Sequence, residues 1–146
     1  MTQSVAVVYE RKGRLFLSAT AETVDGILLE SHPLVDLGDQ PDEQILGTML
    51  DAVLKCGVSG LETPRPDEYP DPALPRLAGT KSYTEFMSDA RSVTVAREWD
   101  EVTLTPMHNA GTRNGFEVLQ EHSQVLNAPD SFELGQAVRE ALRHAD

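Results

Sequence analysis

Hydrophobic and polar positions along the chain fall into two strand patterns and two helix patterns. From Ser4 to Ser18 (SVAVVYERKGRLFLS), apolar β-formers flank a charged, glycine-containing stretch at Lys12-Gly13, which predicts a β-hairpin. Ser92 to Pro106 repeats the idea. Val93, Val95 and Trp99 alternate with Thr94, Ala96 and Glu98, an Asp100-Glu101 turn follows, and Val102 and Leu104 continue until Pro106 is expected to close the strand. Asp39-Gln40-Pro41-Asp42 opens a predicted helix over 41–56, in which Ile45, Leu46, Met49, Leu50, Val53 and Leu54 form one apolar stripe before Gly57. A second helix is predicted over 131–144. Asp130 and Glu133 have capping-box spacing, and Leu134, Ala137, Val138, Ala141 and Leu142 face one side.

Sliding the chain against itself by 88 residues, without a gap, brings both hairpins and both helices into register. Ser4, Val5, Val7 and Glu10 meet Ser92, Val93, Val95 and Glu98, while Pro41, Asp42, Leu46, Gly47 and Leu54 meet Pro129, Asp130, Leu134, Gly135 and Leu142. Generic capping and core residues account for some of these identities. Glycine inside both helices is harder to explain that way, because it costs about 0.8–1.0 kcal/mol against alanine there. The pair therefore points to a close backbone approach and to an internal duplication with a pseudo-two-fold axis. Between the halves, Glu62 to Pro75 is crowded with prolines (Pro64, Pro66, Pro70, Pro72, Pro75), which predicts a surface loop and no regular helix. Tyr83, Phe86, Met87 and Ala90 then have the spacing of a short helix over 82–90 with one core-facing side. The fold class expected is α+β, one domain over residues 1–146, with an antiparallel sheet built from two β-hairpins and covered by helices.

Composition narrows the function. A hydrophobic fraction of 40% and a charged fraction of 25% are ordinary for a globular chain. No stretch reads as a signal peptide or membrane span, which leads to the expectation of a cytoplasmic protein with no membrane partner. Cys56 is the one cysteine, excluding an internal disulfide and a cysteine zinc cage, and is expected as a small buried residue at a helix end. The formal net charge is −12. Residues 22–71 hold twelve acids against Lys55 and Arg65, a net of −10, so nearly all the excess lies there. Direct nucleic-acid binding is disfavoured and a basic protein partner favoured. The candidate partner-binding residues are Glu22, Asp25, Glu30, Asp36, Asp39, Asp42, Glu43, Asp67 and Glu68.

Catalytic motifs are missing. His32, His108, His122 and His144 are scattered, no Gly-x-Ser-x-Gly elbow occurs, and Ala110-Gly-Thr-Arg-Asn-Gly115 lacks the Gly-Lys-Ser/Thr ending of a P-loop. Asp67, Glu68 and Asp71 lack EF-hand spacing. No catalytic residue, metal or cofactor is therefore expected. The enzyme alternative is a small hydrolase using His108 or His122 beside an acid.

The stretch Thr80 to Leu142 resembles immunity proteins of bacterial contact-dependent growth inhibition systems. The resemblance rests on Ser82-Tyr83-x-x-Phe86, the alternating strand before Leu104-Thr105-Pro106, Gly115-Phe116, and Leu134-Gly135 leading into the last helix, with Leu46-Gly47 a looser match in the first half. It implies a protein that binds the toxic C-terminal domain of a large surface-displayed effector and so protects its own cell. Many such toxins are nucleases, whose basic surface an acidic inhibitor can occupy. No contact residue carries over by position, so the candidate acids rest on charge alone. The alternative binding function is an acidic adaptor or regulatory protein on another basic protein.

Overall fold

The computed structural model describes residues 3–39, 41–65, 67, 73–111 and 114–146. In chain order its elements are β1 (Ser4–Arg11), β2 (Arg14–Thr23), β3 (Leu28–Asp39), α1 (Glu43–Leu54), β4 (Val58–Leu61), α2 (Leu74–Leu77), α3 (Tyr83–Met87), β5 (Ala90–Glu98), β6 (Glu101–Asn109), β7 (Phe116–Val118), β8 (Gln124–Asn127) and α4 (Ser131–His144). The strands make one mostly antiparallel sheet in the order β3-β2-β1-β5-β6-β7, with β4 parallel to β2 and β8 antiparallel to β6. This is an α+β fold.

Both hairpins form where the alternation places them. Lys12 and Gly13 take positive φ (52° and 81°), as a two-residue hairpin loop requires. In the second hairpin the turn is Trp99-Asp100 and not Asp100-Glu101, because Glu98 pairs with Glu101. That register sets Leu104 beside Val95, two core side chains together, and leaves Arg97 to reach Asp51 at 2.8 Å. Trp99 is thereby pushed into the turn, exposed and at φ 56°. Pro106 does not end β6. It lies opposite Val93, and only its carbonyl is used on the other side, accepting from the Leu119 N–H.

The sheet is wider than two hairpins. β3 pairs along β2 with register shifts at Leu15/Phe16 and Ser18/Ala19, and at the far side of the sheet β7 and β8 pair with β6. Shifted by 88 residues, β1, β2, β3 and α1 fall on β5, β6, the β7–β8 region and α4. β1 and β5 pair antiparallel with each other, Val7 opposite Thr94, where an axis relating the halves would pass.

α1 and α4 cover one face. Ala6, Val8, Leu15, Leu17, Val93, Val95, Val102 and Leu104 from the strands meet Leu46, Leu50, Val53, Leu54, Leu134, Val138 and Leu142 from the helices. The helices cross at the two glycines. A Cβ on Gly47 would lie 1.6 Å from the Ser131 carbonyl oxygen, and one on Gly135 would lie 2.0 Å from that of Glu43. Ser131 stands 88 residues after Glu43, so the two contacts are reciprocal. Asp42 and Asp130 are the N-caps, each accepting from the N–H three residues on, and Asp130 with Glu133 completes the expected capping box.

The opposite face carries a smaller core of Phe16, Leu74, Ala78, Phe86 and Ala90, with Tyr9 and Phe116 against it. Several expectations are corrected here. α1 runs Glu43–Leu54, shorter than 41–56, and its Ile45 is half exposed. α3 ends at Met87, and Ala90 already belongs to β5. Tyr83 is exposed, because its one-turn helix is too short to bury four side chains. Leu74–Leu77 forms a helical turn despite Pro75, which sits in its first turn where the missing N–H costs nothing. Cys56 is exposed, lying past the C-cap Lys55 and so off the buried stripe.

Candidate partner-binding surface

The described acids of segment 22–71 do not gather at one spot: Glu22, Asp25, Glu30, Asp36 and Asp39 lie along the β2–β3 pair, Asp42, Glu43 and Asp51 belong to α1 and its cap, and Glu62 and Asp67 follow β4. Glu22 stands opposite Leu28 at one end of the β2–β3 pair, and Arg14 stands opposite Asp39 at the other. At ~3.3 Å per residue along β2 the two ends lie roughly 26 Å apart.

Several of the candidates hold the fold. Glu30 accepts from the backbone N–H groups of Ala73 (2.6 Å) and Leu74 (3.0 Å) and so anchors the start of α2. Its carboxylate also helps to raise the hydroxyl pKa of Tyr83, where burial acts first and Glu30 second; on buried Tyr9 burial again leads, followed by Tyr83 and then Glu30. Asp42 caps α1 by accepting from the Ile45 N–H at 2.8 Å. Glu43 pairs with Arg139 of α4 at 3.0 Å, beside the glycine crossing. Asp36 pairs with Arg14 and also accepts from the Gly38 N–H at 2.8 Å.

The other candidates present charge outward. Asp25 is exposed in the β2–β3 turn and accepts from the Thr63 hydroxyl at 2.5 Å. Asp39 is exposed at the end of β3, Glu22 is half-buried on β2, and Asp67 is exposed. Glu68 lies outside the described residues. No Lys or Arg occurs from Leu15 to Leu54, so the bases nearest this edge in the sequence are Arg14 before it and Lys55 and Arg65 after it.

The histidines come closer to one another than their sequence positions suggest. His122 stacks on His144 with ring centroids 4.2 Å apart, and His144 Nε2 lies 3.4 Å from Glu140 Oε1. His108 pairs with Asp146, which raises the imidazole pKa above its ordinary 6.5, chiefly through their hydrogen bond. Both partners of that pair are well exposed, a poor setting for chemistry that needs water excluded. Among the described residues no group of three or more His, Cys, Asp or Glu side chains is arranged to hold a metal ion. Among them, too, no helix is long and apolar enough to cross a membrane.

Sequence reasoning passed over the apolar side chains beside these acids. Val24, Ile27, Leu28, Val58 and Leu61 are all exposed large hydrophobics. They fall in segments with no helical or alternating pattern, so periodicity could not pick them out.

No protein-family model matches the chain, and no curated protein matches it. Solved structures do match. One is a protein of unknown function from Neisseria meningitidis, with a TM-score of 0.81 and 14% identity, covering 99% of this chain and 96% of that one. Another is a chain of the CdiA-CT/CdiI toxin and immunity complex from Yersinia pseudotuberculosis, with a TM-score of 0.77 and 15% identity, covering 100% of this chain and 99% of that one. End to end, this chain shares the fold of both of these chains.

Proposed function

We propose that this chain is an immunity protein: it binds the C-terminal toxin domain of a contact-dependent growth inhibition effector, a basic nuclease domain, and neutralises it stoichiometrically without catalysis. The full-length fold shared with a chain of a toxin and immunity complex supports this above all. The lopsided charge agrees with it, because a nuclease presents basic surface to phosphates and an acidic edge is complementary to that surface. The working site is the cytoplasm of the protected cell.

The test is co-expression with the C-terminal domain of the effector encoded beside it, followed by purification and titration. A stable complex is expected, with nuclease activity falling linearly to zero at a fixed molar ratio. Full inactivation by a substoichiometric amount would show turnover and refute the stoichiometric mechanism. Failure of the two purified proteins to associate at low salt would refute the function.

A further inference from the structure

Turn residues at a hairpin tip are ordinarily Gly, Pro, Asn, Asp or Ser, yet the β2–β3 turn carries Val24 and Ile27 beside Asp25 and Gly26. Val24 is 68% exposed and Ile27 39%. Next to them stand Leu28 (43%), on β3, and Val58 (49%) and Leu61 (42%), on the short strand β4 that pairs with the end of β2. Five large apolar side chains thus collect at one end of the sheet.

The backbone beneath them is held firmly. Thr23 N–H donates to the Ile27 carbonyl (2.9 Å) and Gly26 N–H to that of Thr23 (3.0 Å), while Val24 N–H donates to the Leu61 carbonyl (2.8 Å) and Ile27 N–H to Thr23 Oγ1 (3.1 Å). The Thr63 hydroxyl ties Asp25 to the segment after β4. A rigid apolar tip loses little entropy when a partner covers it. Around the tip lie Glu22, Asp25 and Glu62, against which the sequence sets Arg65, three residues after Glu62, while Lys55 before β4 pairs with Asp51 at 3.3 Å.

An apolar centre within a charged rim is the anatomy of a protein interface, and the sign of this rim selects a cationic partner. Resting on the function proposed above, we infer that the β2–β3 tip with β4 is the centre of the toxin-docking surface: Val24, Ile27 and Leu61 anchor the basic toxin domain, and Glu22, Asp25 and Glu62 steer it. The acids near Asp36 and Asp39, at the far end of the edge, lie outside this centre.

The experiment measures association and dissociation of the purified C-terminal effector domain with three folded variants of the full chain, checked by thermal melting. Val24→Ser with Ile27→Ser is expected to speed dissociation at least tenfold at every salt concentration, leaving association nearly unchanged. Glu22→Gln, Asp25→Asn and Glu62→Gln together should slow association at low salt and flatten its salt dependence. Val125→Ser with Phe132→Ser, exposed apolar residues elsewhere, should bind as the unmodified chain does. If the tip variant binds normally while the Val125/Phe132 variant weakens, docking lies elsewhere and this inference fails although the function stands. If the unmodified chain does not bind, the function fails and takes this inference with it. Sedimentation over a concentration series provides the other check: a dimer that the Val24/Ile27 substitutions dissociate would assign the tip to a second copy of the chain and overturn the inference.

Discussion

Replacing Gly47 with alanine sets a local gain against a tertiary loss. Within an isolated helix alanine is favoured by about 0.8–1.0 kcal/mol. In this fold the added Cβ would sit 1.6 Å from the Ser131 carbonyl oxygen, where contacts under 3.0 Å essentially never occur. Both groups belong to helix backbone, so no side chain can rotate away and α1 and α4 must part by about 1.8 Å, since ordinary contact begins at 3.4 Å. Gaps of 0.5–1 Å already forfeit about a quarter to a half of the dispersion energy of the atoms concerned, and overpacking of this kind costs typically about 1–3 kcal/mol, occasionally more. Taking about 3 kcal/mol and subtracting the helix gain leaves a net loss of about 2 kcal/mol, or roughly 4–8 °C in Tm for a domain of this size. Gly135→Ala should behave alike, its Cβ meeting the Glu43 carbonyl oxygen. The double variant should lose less than the sum of the two, because one separation of the helices relieves both clashes. Urea unfolding followed by circular dichroism measures all three. A Gly47→Ala protein that melts at or above the unmodified chain would refute the close crossing.

Three further outcomes follow from local contacts. Asp130→Ala removes a capping box and should cost about 0.5–2 kcal/mol in the same urea assay. Glu30→Ala leaves the Ala73 and Leu74 N–H groups without their acceptor; a loss of about 1–3 kcal/mol is expected, with faster hydrogen exchange at 73–78, and unchanged exchange there would contradict the anchoring role. For His108, whose pKa is raised in the folded chain, the contribution to stability is full below pH 6.5 and is lost as pH rises through the folded value. An NMR titration should therefore place its midpoint above 6.5, returning toward 6.5 in Asp146→Asn; equal midpoints in the two proteins would refute the pairing.

Periodicity made the centre of the fold legible. Val93 and Val95 alternate with Thr94 and Ala96, and Leu134, Ala137, Val138, Ala141 and Leu142 recur at helical spacing, so both elements and their buried faces could be read directly. Gly47 and Gly135 signalled a close approach through their helix cost alone. β3 stayed hidden because Pro33, Gly38 and two register shifts break its alternation, and the Trp99 turn was missed by one residue because alternation does not fix where a turn begins. Charge picked out the candidate acids but neither their places in the fold nor their employment. Whether a carboxylate caps a helix, as Asp42 does, or anchors a distant turn, as Glu30 does, depends on partners 3 or 43 residues away.

The pairing of β1 with β5 bears on how the chain matures. Its partners stand 79 to 93 residues apart, from Arg11 with Ala90 to Ser4 with Arg97, so a growing polypeptide makes the first three strands and α1 well before anything can complete them. At ~5–20 residues per second that interval is on the order of ten seconds. During it one edge of β1 offers open hydrogen-bonding groups, and the glycine side of α1 has no helix to lie against. Both are the features through which unfinished chains find wrong partners, including the matching half of another copy still on its ribosome. Output of active protein should therefore depend on chaperones and on translation speed through the proline-rich connection more than the stability of the finished fold would suggest.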